Sequence, residues 1–152
     1  MQQSRSTLGL VTRHLGQSPA GGARSLYVGL RAALRAPLWV SGNKLRSALE
    51  AEAIPDSRSL LADQDLVVAL RVANGAVRHL SRTRTAWRNT CLYRSMAQYL
   101  VLKDFGKSAA IRIGVQGPDD EKDLKAHSWV IYHGPETVQD GGESFEELRF
   151  QS

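Results

Sequence analysis

The chain has 152 residues and carries 20 Lys and Arg against 15 Asp and Glu, a formal charge of +5. That length fits one compact domain able to bury roughly 70% of its unfolded surface, and 42% hydrophobic with 23% charged residues excludes a disordered tail. A single cysteine excludes disulfide frameworks, thiolate zinc fingers and iron–sulfur cages, and the absence of a long apolar run or a signal-like N-terminus predicts a cytoplasmic protein.

The first half reads as helix. Arg24 to Ala36 sets Leu26, Leu30 and Leu34 at four-residue steps, an apolar stripe that Pro37 is expected to stop. A weaker stripe through Leu45 and Leu49 ends before Pro55. The clearest helix follows, with Asp63 as N-cap and Leu66, Leu70, Ala73, Val77 and Leu80 on one face. Its other faces carry Arg71, Arg78 and Arg82, and Gly75 costs it about 1 kcal/mol relative to alanine.

From Trp87 the pattern changes. Thr90 or Asn89 can cap a helix through Leu92, Met96, Leu100 and Val101 to about Asp104, with Gly106 ending it. Ile111, Ile113 and Val115 alternate with Arg112 and Gly114 as a half-buried strand. After a polar, acidic loop from Gly117 to Lys125, His127, Trp129 and Ile131 alternate with Ser128, Val130 and Tyr132 as a second strand. A turn at His133-Gly134-Pro135-Glu136 leads to a short third strand, Thr137 to Asp140. The expected class is α+β, a helical N-terminal part packed on a small antiparallel sheet. Residues 1–60 form the helical segment and 61–152 the core that holds the chemistry.

Charge is divided unevenly. Residues 1–90 hold 13 Arg and Lys against 5 Asp and Glu, whereas residues 91–152 hold 7 against 10. The basic half reads either as solvated helix faces or as a binding module for an acidic peptide. No nucleic-acid motif lies in it, so no nucleic-acid partner is expected, and no membrane partner either.

Cys91 stands out because it opens a predicted helix just after a Thr/Asn cap. Unpaired N–H groups and the positive end of the helix dipole favour a thiolate there, and the same N–H groups suit an oxyanion formed beside the sulfur. A lone cysteine is also a common core filler. A nucleophile needs a base, and a base needs an orienting group. Of four histidines, His14 lies near the terminus, His79 on the arginine-rich helix and His133 in a turn. His127 opens a strand on the same face as Trp129, and Asp140 lies across the turn on the next strand. A metal site from Cys91, His127 and His133 is rejected, since His127 and His133 lie at opposite ends of one strand, roughly 20 Å apart. Neither a metal nor another cofactor is expected.

The stretch Trp87-Arg88-Asn89-Thr90-Cys91-Leu92-Tyr93-Arg94-Ser95-Met96-Ala97 resembles the W-x(2–3)-C-L-x-R-S-x-A segment of a bacterial transglutaminase-like family. Ala126-His127-Ser128-Trp129-Val130 is similar to that family's A-H-A-W-V block, with Ser128 where alanine is usual. Ile111 to Val115 resembles its strand ending in G-V, and Phe145 to Phe150 its short tail. The family comprises the leader peptidases of lasso-peptide biosynthesis, cysteine peptidases that remove the leader of a ribosomally made precursor before a separate cyclase closes the ring. The resemblance spans roughly residues 60–150. It implies a papain-like core in which Cys91 is nucleophile, His127 base and Asp140 orienting acid, with Asp119 and Asp123 as alternative third members. Trp87, Trp129 and Arg94 are the candidate substrate-binding residues, though both tryptophans also suit a core and Arg94 a structural ion pair. Residues 1–60 are too short for the strand-containing leader-binding module that some members carry. A separate leader-binding protein is therefore implied as partner, beside the precursor substrate and, as a further candidate, the lasso cyclase. The same triad also fits an acyl transferase that passes the acyl group to an amine.

Overall fold

The computed structural model describes residues 19–54, 64–83, 90–116, 125–132 and 146–147. Among them are the helices α1 (Pro19–Val40), α2 (Lys44–Glu50), α3 (Gln64–Thr83) and α4 (Cys91–Asp104). The strands β1 (Ala109–Gln116), β2 (Lys125–Tyr132) and β3 (Glu146–Glu147) follow, and β1 pairs antiparallel with both others in the order β2-β1-β3. The architecture is α+β, as the pattern predicts. No helix among the described residues is long and apolar enough to cross a membrane.

α3 follows its sequence pattern. Leu66, Leu70, Ala73 and Val77 are buried together, while Arg71, Arg78 and Arg82 are exposed. The expected cap Asp63 lies outside the described residues. Gly75 faces open space, and a Cβ added there would meet nothing within 4 Å. Gly75→Ala is therefore expected to stabilise the fold by about 1 kcal/mol, read as a raised urea midpoint.

α1 departs from its pattern in two ways. The helix runs through Pro37 to Val40 instead of stopping. Proline removes one amide donor, but Ala36 is fully buried and Trp39 and Val40 pack against the core, so tertiary contacts hold the last turn. Ser41 ties that turn down, donating from both its amide (2.9 Å) and its hydroxyl (2.8 Å) to the Pro37 carbonyl. The second departure concerns the leucines: Leu30 and Leu34 are exposed and Leu26 is half-buried. The buried face is made instead of Ser25, Val28, Gly29, Ala32, Ala33 and Ala36. Small side chains let α1 lie close against α3. A Cβ on Gly29 would stand 2.6 Å from the Ala69 carbonyl oxygen and 2.8 Å from the Val72 Cβ. Close approach decides which face goes inward, not the size of the apolar residues.

α4 is the central helix. It packs against α1, α3, β1 and β2, so Met96, Ala97, Tyr99, Leu100, Val101 and Leu102 are all buried. Gly106 ends it in the left-handed region (φ 71°). Its amide donates to the Lys103 carbonyl and that of Lys107 to the Leu102 carbonyl, both at 2.9 Å. That pair of bonds satisfies two carbonyls the helix end would otherwise leave open.

β1 is covered on both sides, unlike the half-solvated strand its alternation suggests. Ile111 enters the helical core, while Ala110 and Gly114 on the other face are also buried. Arg112 is half-buried, and its Nη1 donates to the Leu49 and Ala51 carbonyls (3.1 and 3.2 Å) at the C-terminal end of α2. The guanidinium thus fastens α2 over the sheet. The predicted third strand, Thr137 to Asp140, lies outside the described residues. β3 falls in the tail stretch.

Candidate active site

Cys91 is the first residue of α4, where the sequence places it. Thr90 precedes it in extended conformation, and its Oγ1 accepts from the Tyr93 amide at 3.4 Å. The first intrahelical bond runs from the Arg94 amide to the Thr90 carbonyl at 3.2 Å. The amides of Cys91 and Leu92 come before the first turn closes, so helix geometry gives them no intrahelical acceptor. The thiol is half-buried.

His127 lies near the start of β2, opposite Gly114 on β1, and Trp129 lies opposite Arg112. Strand alternation sets His127 and Trp129 on the face away from Ser128 and Val130. Their rings stack, with centroids 6.2 Å apart and planes at 16°. Trp129 is 8% exposed and forms wall more than surface.

A small cleft, open at its mouth, lies between the start of α4 and β2. Its lining is Cys91, Arg94, Ser95 and Gln98 from the helix, with His127, Ser128 and Trp129 from the strand. The candidate nucleophile and base, 36 positions apart in sequence, thus share one cavity, together with Trp129 and Arg94. Asp140 and Trp87 lie outside the described residues, as do Asp119 and Asp123.

The two walls are held together by polar groups whose sequence context does not mark them as structural. Ser95 is one turn beyond Cys91 on the same helix face. Its hydroxyl donates to the Ser128 carbonyl (2.9 Å) and accepts from the Ser128 hydroxyl (3.3 Å), with both residues buried. Ser95 therefore joins the residue after His127 to the turn that begins with Cys91. A further turn along, the buried Gln98 donates through Nε2 to Asn74 Oδ1 of α3 at 3.1 Å. The available signal was the spacing of Cys91, Ser95 and Gln98, which puts polar groups on one stripe of the helix. Ser95→Ala leaves the Ser128 hydroxyl and carbonyl without this partner. It is expected to cost about 1–3 kcal/mol, lowering the melting temperature by about 2–4 °C per kcal/mol. Adding Ser128→Ala removes the orphaned hydroxyl, so the double variant should be less destabilised than the two single losses combined.

The family profile of the transglutaminase-like superfamily matches residues 25–150. The chain belongs to the transglutaminase-like superfamily. This match begins within α1 and takes in every described strand, so all the helices but the first turns of α1 lie inside it. No curated protein and no solved structure matches the chain. The superfamily is one of cysteine-triad enzymes, of protease or acyltransferase type. In this transglutaminase-like chain, a cysteine at a helix start and a strand histidine line one cleft, an arrangement on which such chemistry can be built.

Proposed function

We propose that the chain is a cysteine peptidase that removes the leader from a ribosomally made precursor during lasso-peptide maturation. Cys91 is the nucleophile, His127 the general base and acid, and Asp140 the orienting carboxylate. The observation that carries the reading is the cleft shared by Cys91 and His127, within a chain of the transglutaminase-like superfamily. Within the superfamily's chemistry, the C-L-x-R-S and A-H-x-W-V resemblance supports leader removal.

The chemistry follows from the side chains. His127 takes the thiol proton of Cys91, and the sulfur attacks the scissile carbonyl carbon. The amides of Cys91 and Leu92 receive the developing oxyanion. As the C–N bond breaks, imidazolium gives its proton to the leaving amine, and a thioester remains on Cys91. His127 then deprotonates a water, which attacks the thioester and releases the new carboxylate and the thiol. Trp129, Arg94 and Trp87 are the substrate-binding residues of this reading. Residues 1–60 serve docking and residues 61–152 the reaction. The partners are the precursor, a separate leader-binding protein and the lasso cyclase.

The test is incubation with the precursor peptide encoded nearest this chain's gene, with and without the neighbouring small protein, followed by mass spectrometry. Free leader and core peptide, with one water added across the cut bond, are the expected products. An intact precursor under both conditions overturns the reading. A cross-linked adduct replaces hydrolysis with amine transfer by the same residues. For the third member, Asp140→Asn is expected to lower turnover by about a hundredfold or more, with Asp119→Asn and Asp123→Asn near wild type. A reversed ranking moves the orienting role to the loop.

A further inference from the structure

α1 carries an apolar row that the fold leaves outside. Tyr27 is 63% exposed, Leu30 44%, Leu34 52% and Leu38 70%. They follow one another at steps of three, four and four, a single file about 16 Å long on one side of the helix. Isolated exposed leucines are ordinary, but a contiguous row on one face marks a contact surface.

Helical geometry puts Arg24, Arg31 and Arg35 together along one flank of this row, at steps of seven and four. Two of the three are held against rings. The Arg24 guanidinium lies 5.1 Å from the Phe105 ring centre and that of Arg35 5.7 Å from Trp39. α1 itself carries no carboxylate, and the chain's first acidic residue is Glu50. The exposed side of α3, with Arg71, Arg78 and Arg82, adds basic charge on the neighbouring helix.

From these observations we infer that the α1 row is a docking site for an amphipathic helix of a partner protein. That helix would lay an apolar stripe along Tyr27, Leu30, Leu34 and Leu38, with Asp or Glu beside the arginine flank. A row one side chain wide, with helical periodicity, is shaped to lie against another helix. The flank selects for negative charge. A second copy that presents its own α1 brings the same arginines and no acid on that helix to meet them. Residues 1–18 bring Arg5 and Arg13, again without a carboxylate. An anionic lipid surface matches the charge but presents a broad sheet to a narrow row. The inference stands on α1 alone and is independent of the peptidase reading.

The experiment uses the full chain and two fluorescein-labelled helical peptides of about 18 residues, long enough for stable turns. Both have leucines at three- and four-residue steps, and one flank is glutamate in the first peptide and lysine in the second. Fluorescence anisotropy should show the glutamate peptide binding at least about tenfold more tightly, with affinity falling as salt rises. A Leu30→Glu/Leu34→Glu variant should lose at least about tenfold in affinity for it, with an unchanged thermal melt because both side chains are exposed. Equal binding of the two peptides, or a double variant that binds like wild type, overturns the inference. So does a dimer in sedimentation velocity that the double variant disperses, or co-sedimentation with phosphatidylserine vesicles that it abolishes.

Discussion

Cys91→Ala is expected to lower precursor cleavage by at least about a thousandfold, with no measurable change in thermal stability. The two halves of this result have separate causes. Removing the sulfur removes the thioester route altogether, and a methyl group offers nothing that can attack a carbonyl. What survives is whatever rate the helix amides and peptide binding give to direct attack by water. Stability is insulated because Cys91 is half-buried at the first position of α4. Its side chain makes no described bond that alanine would break, while Thr90 keeps the cap. His127→Ala should lose activity on the same scale, and the double variant little beyond either single one, since the residues act as a unit. The comparison requires cleavage assays and melts on the same preparations. Wild-type turnover by Cys91→Ala, with the fold intact, ends the cysteine-enzyme reading.

The candidate site was partly legible in the sequence because the signals for its elements are local. A Thr/Asn cap followed by an apolar period places the start of α4 to within a residue, and the structure puts the cap at Thr90 and Cys91 first in the helix. Alternation fixes the faces of β2, hence the pairing of His127 with Trp129. What joins the two elements is not local. Ser95 and Ser128 are 33 positions apart, and each reads as an ordinary small polar residue until the fold buries them against each other. Arg112 misled for a related reason. A long basic side chain in an alternating strand reads as solvent-facing, yet here it reaches back to the carbonyl end of α2 and is half-buried doing so.

The leucine stripe of α1 shows where periodicity gives the wrong sign. Two faces of this helix have helical spacing, one of large residues and one of small ones, and apolar counting favours the large. The core chose the other because α3 offers a surface that only a small-residue face can approach. Ala69 and Val72 lie under Gly29 at distances that leave no room for a methyl group. Packing to crystal-like density rewards that fit over the extra area of exposed leucines.

The same contact yields the largest expected loss of stability. Gly29→Val should destabilise the fold by about 3 kcal/mol or more, and at about 2–4 °C per kcal/mol the melting temperature should fall by at least roughly 6 °C. Even the first carbon of the new side chain would stand 2.6 Å from the Ala69 carbonyl oxygen, and the obstacle is backbone, which no rotamer change removes. α1 must therefore retreat from α3, opening the layer that buries Val28, Ala32, Ala33 and Ala36. The intrinsic helix gain of replacing glycine works in the opposite direction but is below about 1 kcal/mol. Gly75→Ala supplies the internal control: it is the same kind of change in the partner helix, at a site where the new methyl meets nothing. Urea unfolding of the two variants should displace the midpoint in opposite directions. A Gly29→Val protein as stable as wild type would mean that α1 does not lie this close to α3.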